Sequence, residues 1–431
     1  MKKLLLLSLV LVISGLIFAG GMAEGKETVV WWHHMPLGGA QGKLFQKYIK
    51  EFEAKYPDID VVIESIPHAQ YITKLPTAIA AGEAPDLFGL SYRQLGTYYE
   101  NGTLTPMDGI AFDAAGVTSL EELKKQWAPG ALEVYQVGDN YYGLPFQFNI
   151  YAYVINTKHF KEAGLDPDKD YPKTWDEVYE VAQKLVIKKD GRIVRQAMSF
   201  PFVHSAAWYM LELEPIMREL GGSILNEDQT ESLVNSQAGI KAMEEIKRRF
   251  DLGVADKDIA AVLDYYNEGF PKGEFSMIIG GNWGPPRWYI NFPDITEEGD
   301  FKAIPYPTYP GKSTAISTTS WAWVVFSRSE HKEAAWKLSN YITSMPSRNI
   351  IETGDIIPRA GWSETEGAKT IPQAEFWEEM LQYSIPLANF KKYPEVSEPL
   401  KRAMQDILLS GKDIKTTLDA VKKEIDMALE D

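Results

Sequence analysis

Aromatic and hydrogen-bonding side chains recur where predicted strands of this sequence end. Trp32-His33-His34 follows the first apolar strand, and Ser91-Tyr92-Arg93 follows the third. Gln147 and Asn149 are two residues apart in an aromatic run, so they share one face of a strand. Gly280-Gly281-Asn282-Trp283 follows a further strand. Amides, hydroxyls and a guanidinium beside flat rings favour non-covalent recognition of a ligand over catalysis.

The sequence contains no recognisable catalytic or metal-binding pattern. The 6 histidines form no His-Glu-x-x-His pair, and the adjacent His33 and His34 point to opposite faces of a strand. With 0 Cys, thiol catalysis and cysteine-ligated metal are excluded. There is no Gly-x-Ser-x-Gly elbow, and Gly311-Lys312-Ser313 lacks the preceding glycine of a phosphate loop, since Tyr306 stands there. We therefore expect neither a metal nor a cofactor.

The composition is that of a large acidic globular chain. Its 431 residues are 45% hydrophobic and 24% charged, which suits two domains or one large one. The 44 basic and 60 acidic residues give a net charge of −16, so general nucleic-acid binding is disfavoured. The 12 Trp exceed what packing alone needs, which again points to aromatic surfaces for a ligand.

The first residues indicate export. Lys2-Lys3 precedes an apolar run from Leu4 to Phe18, and Gly21-Met22-Ala23 fits the small-x-small cleavage rule. We therefore expect residues 1–23 to be a cleaved signal peptide. A buried helix or membrane anchor is the less favoured alternative, because the run is short for a bilayer span. Without a cysteine there is no lipid anchor at a mature N-terminus, so we expect free diffusion in a periplasm.

The predicted elements place these side chains on an open α/β sheet. Strands and helices alternate at the N-terminal end, and that order implies parallel crossovers with ligands beyond the carboxyl ends of the strands. Strands are predicted at 28–32, 59–63, 85–90, 146–155, 275–279 and 322–326, and helical periodicity at 44–52, 71–81, 174–261 and after 331.

Several segments together resemble one family. In their order and spacing they cover nearly the whole mature chain: Phe52–Val61, Leu75–Phe88, Tyr142–Pro145, Pro172–Glu177, Phe270–Trp283, His331–Leu338 and Gly354–Pro358. They resemble the extracellular solute-binding proteins of the maltose and oligosaccharide type, which deliver sugars to ABC importers. The chain departs from many relatives in lacking a lipobox cysteine.

The resemblance implies a two-lobed periplasmic binding protein fold. Each lobe would be a mainly parallel sheet flanked by helices, with the ligand cleft between the lobes and closure by hinge motion. It places the N-terminal lobe at 24–138 and 303–341, and the C-terminal lobe at 139–302 and 342–431.

The resemblance also suggests which residues contact the sugar. Trp283 matches a position where the family has a ring that stacks on sugar, and Trp32 and Trp321 are further candidate platforms. Arg93 could fork onto vicinal hydroxyls or pair with a surface carboxylate. The complete set of candidate ligand-binding residues is Trp32, His33, Ser91, Tyr92, Arg93, Gln147, Asn149, His204, Trp208, Asn282, Trp283, Trp321, Arg359 and Tyr393.

These observations predict a monomeric periplasmic receptor that captures a di- or oligosaccharide and hands it to an inner-membrane ABC permease, without enzymatic activity. One alternative is a receptor of the same fold for a peptide or a polyamine, and polyamine capture should show several carboxylates converging on the cleft. The other is an exported glycoside hydrolase, which needs two carboxylates at defined separation. The candidate loops carry His, Ser, Tyr, Gln, Asn and Trp instead.

Overall fold

The computed structural model describes residues 26–128, 130–312, 316–381, 383–386, 390 and 392–430. The predicted signal peptide at 1–23 lies outside these residues. Within them, no helix is both long enough and apolar enough to cross a lipid bilayer.

The N-terminal end alternates strands and helices, as the sequence predicts. Helix α2 stops where Gly82 adopts a φ of +78°, a left-handed conformation that glycine tolerates best. The elements are β1 (Glu27–His33), α1 (Ala40–Lys55), β2 (Ile59–Ser65), α2 (His68–Ala81), β3 (Leu87–Ser91), α3 (Leu95–Glu100), α4 (Gly109–Ala114) and α5 (Leu120–Lys125).

The middle of the chain carries the longest strand and a largely helical excursion. Helix α7 begins with a capping box, in which Thr174 and Glu177 bond each other's backbone. The elements are β4 (Gln136–Val137), β5 (Asn140–Tyr141), β6 (Leu144–Asn156), α6 (Thr157–Glu162), α7 (Trp175–Leu185), β7 (Ile187–Lys189), β8 (Arg192–Arg195), α8 (Ala206–Glu219), α9 (Gln237–Asp251), α10 (Lys257–Ala260), β9 (Met277–Gly281), α11 (Gly284–Asn291) and β10 (Phe301–Ile304).

The C-terminal part returns once through the sheet and then is mainly helical. Its elements are β11 (Ile316–Val325), α12 (Lys332–Thr343), α13 (Pro346–Thr353), α14 (Ala374–Leu381), β12 (Ser384–Pro386), α15 (Tyr393–Leu408) and α16 (Ile414–Glu430).

The sheet is mixed in direction. Its order is β10-β6-β11-β3-β1-β2, with β12 beside β11 and β9 beside β6. Strands β2, β1 and β3 are parallel, as expected, but β11 runs antiparallel to β3 and β6, and β6 runs antiparallel to β9 and β10. The α/β class is confirmed. The antiparallel part escaped prediction because pattern alone does not give the direction of strands separated by long helical segments.

Strand β6 pairs with two different sets of strands along its length. Its residues 144–150 pair with β11, whereas residues 151–156 pair with β9 and β10. Gln147 and Asn149 therefore lie just before the point where β6 passes from one set of strands to the other.

An apolar cluster, here called the outer core, lies where α1 and α12 cover one face of the sheet. It contains Trp31, Phe45, Trp127, Trp323 and Trp336 among its buried residues. Trp323 stacks on Phe146 with ring centroids 3.8 Å apart and meets Trp31 edge-on at 4.9 Å.

Candidate functional site

Three of the predicted residues form a row across neighbouring strands. Trp321 of β11 lies opposite Ser91 of β3 on one side and opposite Gln147 of β6 on the other. The imidazole of His34 packs against the Trp321 ring with centroids 4.2 Å apart. The row thus joins the ends of β1 and β3 to the middle of β6.

A buried carboxylate links this row to helix α11, which follows β9. Asp355, which is 4% exposed, accepts a hydrogen bond from Gln147 Nε2 at 2.8 Å and one from Gln41 of α1. Arg287 Nη2 of α11 lies 3.0 Å from the same carboxylate. We call Gln41, Gln147, Arg287 and Asp355 the Asp355 junction, because it joins α1, β6 and α11.

Asparagines flank the point where β6 changes partners. Asn149 Nδ2 donates to Thr319 Oγ1 at 3.0 Å, and the Tyr151 hydroxyl lies 3.5 Å from the same oxygen. Asn282 Oδ1 accepts from the backbone N–H of Ile150 at 2.8 Å. Gln147, Asn149 and Tyr151 are spaced by two residues, so one face of β6 presents all three.

Trp283 lies beside this face. Its ring meets Tyr151 edge-on at 5.0 Å, and it folds back over its own strand. A Cβ on Gly281 would come within 1.7 Å of the Trp283 ring, so the indole can take this position only beside a glycine. The glycines before Trp283 therefore admit the indole itself.

Trp208 and His204 form a neighbouring aromatic wall. Trp208 contacts Tyr151 at 6.1 Å and Tyr266 at 5.1 Å, and Trp283 contacts the same two tyrosines. His204 packs on Trp208 at 4.8 Å, and its Nε2 lies 3.2 Å from Asp264 Oδ1. The two predicted tryptophans of this region are thus brought together around two tyrosines.

Arg93 enters the same region from the end of β3. It is 6% exposed, and the hydroxyl groups of Tyr393, Tyr92 and Tyr151 act on it electrostatically. Although burial alone would lower the pKa of Arg93, these tyrosines raise it. Tyr393 begins α15, and its ring stacks on Phe390 at 6.0 Å.

Several buried polar atoms of this region have no hydrogen-bond partner among the described residues. They are Arg93 Nε and Nη2, Asn149 Oδ1, Asn282 Nδ2 and the Tyr393 hydroxyl. We call Arg93, Asn149, Tyr151, Asn282 and Tyr393, with the rings of Trp208 and Trp283, the central polar cluster. Buried polar atoms are normally satisfied, so this group of unpartnered donors and acceptors beside aromatic rings is the candidate ligand site.

Two predicted residues, Trp32 and His33, lie apart from both the central polar cluster and the row around Trp321. Trp32 is buried beneath α2, with Lys74 Nζ 4.4 Å from its ring. His33 points into the outer core, where its Nδ1 accepts from Met35 N at 3.0 Å, and burial lowers its pKa to about 4. Of the two adjacent histidines, His34 is the one that reaches the row with Trp321.

Arg359 also lies apart from the cluster. The N–H groups of its guanidinium donate hydrogen bonds to residues of the protein. Its guanidinium bonds Gln126 Oε1 at 2.9 Å, Asn340 Oδ1 at 2.7 Å and both oxygens of Thr343 at 3.0 Å. It also lies 4.1 Å from the Trp127 ring, and burial lowers its pKa to about 10. The position after Pro358 is therefore that of a structural arginine.

Sequence reasoning missed Tyr151, His34, Arg287 and Asp355 as members of the site. Tyr151 could have been found, since it continues the two-residue spacing of Gln147 and Asn149. Arg287 and Asp355 carried no local signal, because their partners lie 68 residues or more away along the chain.

A surface cavity of about 590 Å³ lies elsewhere, beside α6 and β10. Its charged lining includes Lys161, Asp166 and Lys302, and it shares no residue with the central polar cluster. Tryptophans are missing from its lining, so it lacks the flat rings that distinguish the central region.

Comparisons with known proteins agree with this architecture. The chain is 26% identical over 414 residues to the maltotriose-binding protein of Pyrococcus abyssi, covering 93% of this chain and 82% of that protein. The fold is similar to an ABC transporter solute-binding protein of Thermotoga lettingae bound with α-D-tagatose, with a TM-score of 0.79, 25% identity and coverage of 94% and 100%. Maltose-bound T. maritima MalE3 gives a TM-score of 0.78 at 19% identity, with coverage of 93% and 99%.

These solved relatives are two-lobed binding proteins, which confirms the predicted fold. The family model of the bacterial extracellular solute-binding proteins matches residues 38–348, well over half of the sequence, and it is a family of binding proteins rather than enzymes. The chain belongs to the bacterial extracellular solute-binding proteins.

Proposed function

We propose that this protein captures a carbohydrate, a di- or oligosaccharide, at the central polar cluster and delivers it to an ABC importer in the inner membrane. Capture lies between two lobes, 24–138 with 303–341 and 139–302 with 342–431. The protein acts as a monomer in the periplasm after removal of residues 1–23, and it performs no covalent chemistry.

One observation supports this function most directly: buried, unpartnered donors and acceptors lie beside two tryptophans. Among the described residues, Asn149 Oδ1 is a free acceptor and Asn282 Nδ2 a free donor, while Trp283 and Trp208 supply flat apolar surfaces. A sugar has hydroxyls that donate and accept at its rim and C–H groups on its faces. It therefore satisfies both kinds of surface at once.

The position of the cluster supports coupling of capture to closure. The side chains come from β3, β6, α8, the end of β9 and α15, on both sides of the point where β6 changes partners. A ligand that bonds groups on both sides stabilises the closed arrangement relative to the open one, because only the closed form makes both sets of contacts.

The relatives add support for the ligand class. Both a maltotriose-binding protein and a multiple sugar-binding protein are similar over most of their lengths. The polyamine alternative, which needs carboxylates that face the ligand, gains little support from the geometry. The carboxylate of Asp355 is already bonded by Gln147, Gln41 and Arg287. A polyamine receptor would instead present unpaired carboxylates to its ligand.

A thermal-shift screen of residues 24–431 tests the proposal. The plate holds mono- and oligosaccharides together with peptides, amino acids and polyamines. A ligand at 100 times its dissociation constant adds about 2.7 kcal/mol, which moves the unfolding midpoint by several degrees.

We expect a rise with one class of sugar and recovery of that sugar unchanged. A rise with peptides or polyamines alone would refute the carbohydrate assignment while keeping the fold. Conversion of the sugar to a product would show a hydrolase.

A further inference from the structure

We propose that the sugar bound at the central polar cluster carries an anionic group, a carboxylate or a phosphate, that pairs with Arg93. This inference rests on the proposed function and names the class of sugar. It follows from how the chain treats its other buried guanidinium groups.

Two other buried arginines, Arg249 and Arg359, have their ion-pair or hydrogen-bond partners within the protein. Arg249, which is 3% exposed, pairs with Glu212 at 2.8 Å and also bonds the carbonyl of Ile246 at 3.1 Å. Arg359 has no carboxylate partner in the described chain but spends its donors on five acceptor contacts. A buried charge is costly unless it is paired or fully hydrogen-bonded, and both arginines meet that condition.

Arg93 does not meet it. The Tyr92 and Tyr393 hydroxyls lie beside it, but its Nε and Nη2 are buried with no acceptor in hydrogen-bond geometry. No Asp or Glu of the described chain forms an ion pair with it. The internal residues outside the description contain no Asp or Glu at all. Neither the described residues nor the internal residues between them therefore supply the counter-charge of Arg93.

The neighbouring charges are already balanced. Arg287 is matched by Asp355 at 3.0 Å. Glu214 acts on Tyr92 and Tyr393, but its Oε1 is held by Arg218 Nε at 2.8 Å and Nη2 at 2.5 Å. Both carboxylates near the cluster thus have an arginine partner other than Arg93.

The two unpartnered nitrogens of Arg93 also indicate the shape of the group that would bind them. Nε and Nη2 are the two parallel N–H groups along one edge of the guanidinium, the edge that binds both oxygens of a carboxylate or two oxygens of a phosphate. Hydrogen bonds between charged groups are shorter and stronger than those to neutral hydroxyls, so an anion gains more here than a vicinal diol does.

The experiment compares matched acidic and neutral sugars by calorimetry on the mature chain. The panel holds galacturonate oligomers of one to four units beside their methyl esters, and sugar phosphates beside the same sugars without phosphate. The uronate and phosphate arms separate the two sources of the anion. The tightest ligand should be acidic and bind its site at least about tenfold more tightly than its neutral counterpart.

Variants assign the preference to Arg93. R93Q should lose roughly 10- to 100-fold in affinity for the acidic sugar and bind the neutral partner about equally, whereas R93K should lie between. R402Q is the control, because it removes a guanidinium that is paired with Glu424 at the surface. Its acidic preference should persist.

The salt dependence of association gives a second readout. The chain carries a net charge of −16, so it repels an anionic ligand at long range, and added salt should speed association of the acidic sugar but not of the neutral one. A panel whose tightest ligand is neutral, or R93Q with its acidic preference intact, overturns this inference and leaves the sugar receptor standing. A panel in which no sugar binds overturns the proposed function as well.

Discussion

The central polar cluster and the outer core region each bury an arginine, but the two guanidinium groups have different hydrogen bonding. In the outer core region, Arg359 uses its guanidinium on Gln126, Asn340 and Thr343. In the central polar cluster, Arg93 and Asn282 keep buried atoms without partners in the described chain. Burial alone therefore does not distinguish the two arginines, whereas the hydrogen bonding of their guanidinium groups does. The outer core also holds unpartnered atoms within the described chain, among them the indole Nε1 of Trp31 and Trp323.

The difference has a thermodynamic meaning. A satisfied polar group stabilises the ligand-free fold, and its loss is felt as lost stability. An unsatisfied one costs stability until a ligand completes it, so its removal is felt as lost affinity. Substitutions in the outer core should thus change unfolding, and substitutions in the central polar cluster should change binding.

The largest effect should come from a pair of tryptophans. Trp323 is fully buried and stacked on Phe146, so Trp323→Ala should cost about 3–5 kcal/mol of unfolding free energy. Trp283→Ala should keep the fold and lose about 1–3 kcal/mol of sugar binding, roughly 10–100-fold. Urea unfolding and titration of tryptophan fluorescence with the screened sugar measure the two effects.

Equal loss of stability in the two tryptophan variants, with sugar affinity unchanged in Trp283→Ala, would erase the distinction between the regions. Gly281→Ala is the companion test. Its Cβ would displace the Trp283 ring, so affinity should fall as in Trp283→Ala although the indole is still present.

The two arginines should differ next most. Arg359→Met leaves several buried acceptors unpaired and should lower the free energy of unfolding by about 3 kcal/mol. Arg93→Met removes an unpaired buried charge of similar shape and should leave stability unchanged or slightly raised. Urea midpoints of the ligand-free variants check this. A fall in Arg93→Met as large as in Arg359→Met would mean that Arg93 is structural.

Acid should weaken the outer core through His33. Burial holds its folded pKa at about 4, while an unfolded histidine titrates near 6.5, so the unfolded state binds more protons between these values. Stability is therefore lost as pH falls from about 6.5 to 4, by about 3 kcal/mol in total. Unfolding at pH 7 and pH 4.5 measures it.

Burial also lowers the pKa of His159 to about 4, so part of the acid loss should remain in His33→Gln. The difference in unfolding free energy between the two pH values should shrink in His33→Gln. An unchanged difference in His33→Gln would remove His33 as a source of acid sensitivity.

The N-terminal elements could be predicted from sequence because their signals are local. The period of the apolar residues gives β1 to β3 and the helices between them, and Gly82 marks the end of α2. That Gln147 and Asn149 share one face of β6 likewise follows from the two-residue period of a strand.

The parts that escaped prediction depend on distant partners. Both faces of the β1 region are covered by helices, so alternation shows that His33 and His34 diverge but not which one reaches the site. The role of Arg359 is set by Gln126, 233 residues away. A short pattern such as Pro358-Arg359 contains no information about that contact.

The smallest effect separates two asparagines of the same strand. Asn149→Leu removes a side chain whose Oδ1 is unpartnered within the described chain, so stability should change by less than about 1 kcal/mol while sugar affinity falls roughly tenfold. Asn156 caps α6, with its Oδ1 accepting from His159 N at 3.1 Å. Asn156→Leu should therefore lose about 1 kcal/mol of stability and bind sugar normally. Both asparagines lie on β6, seven positions apart. The two variants together therefore show where along this strand substitutions cease to affect sugar affinity and begin to affect stability. Affinity lost in Asn156→Leu and kept in Asn149→Leu would place the sugar beyond the point where β6 changes partners.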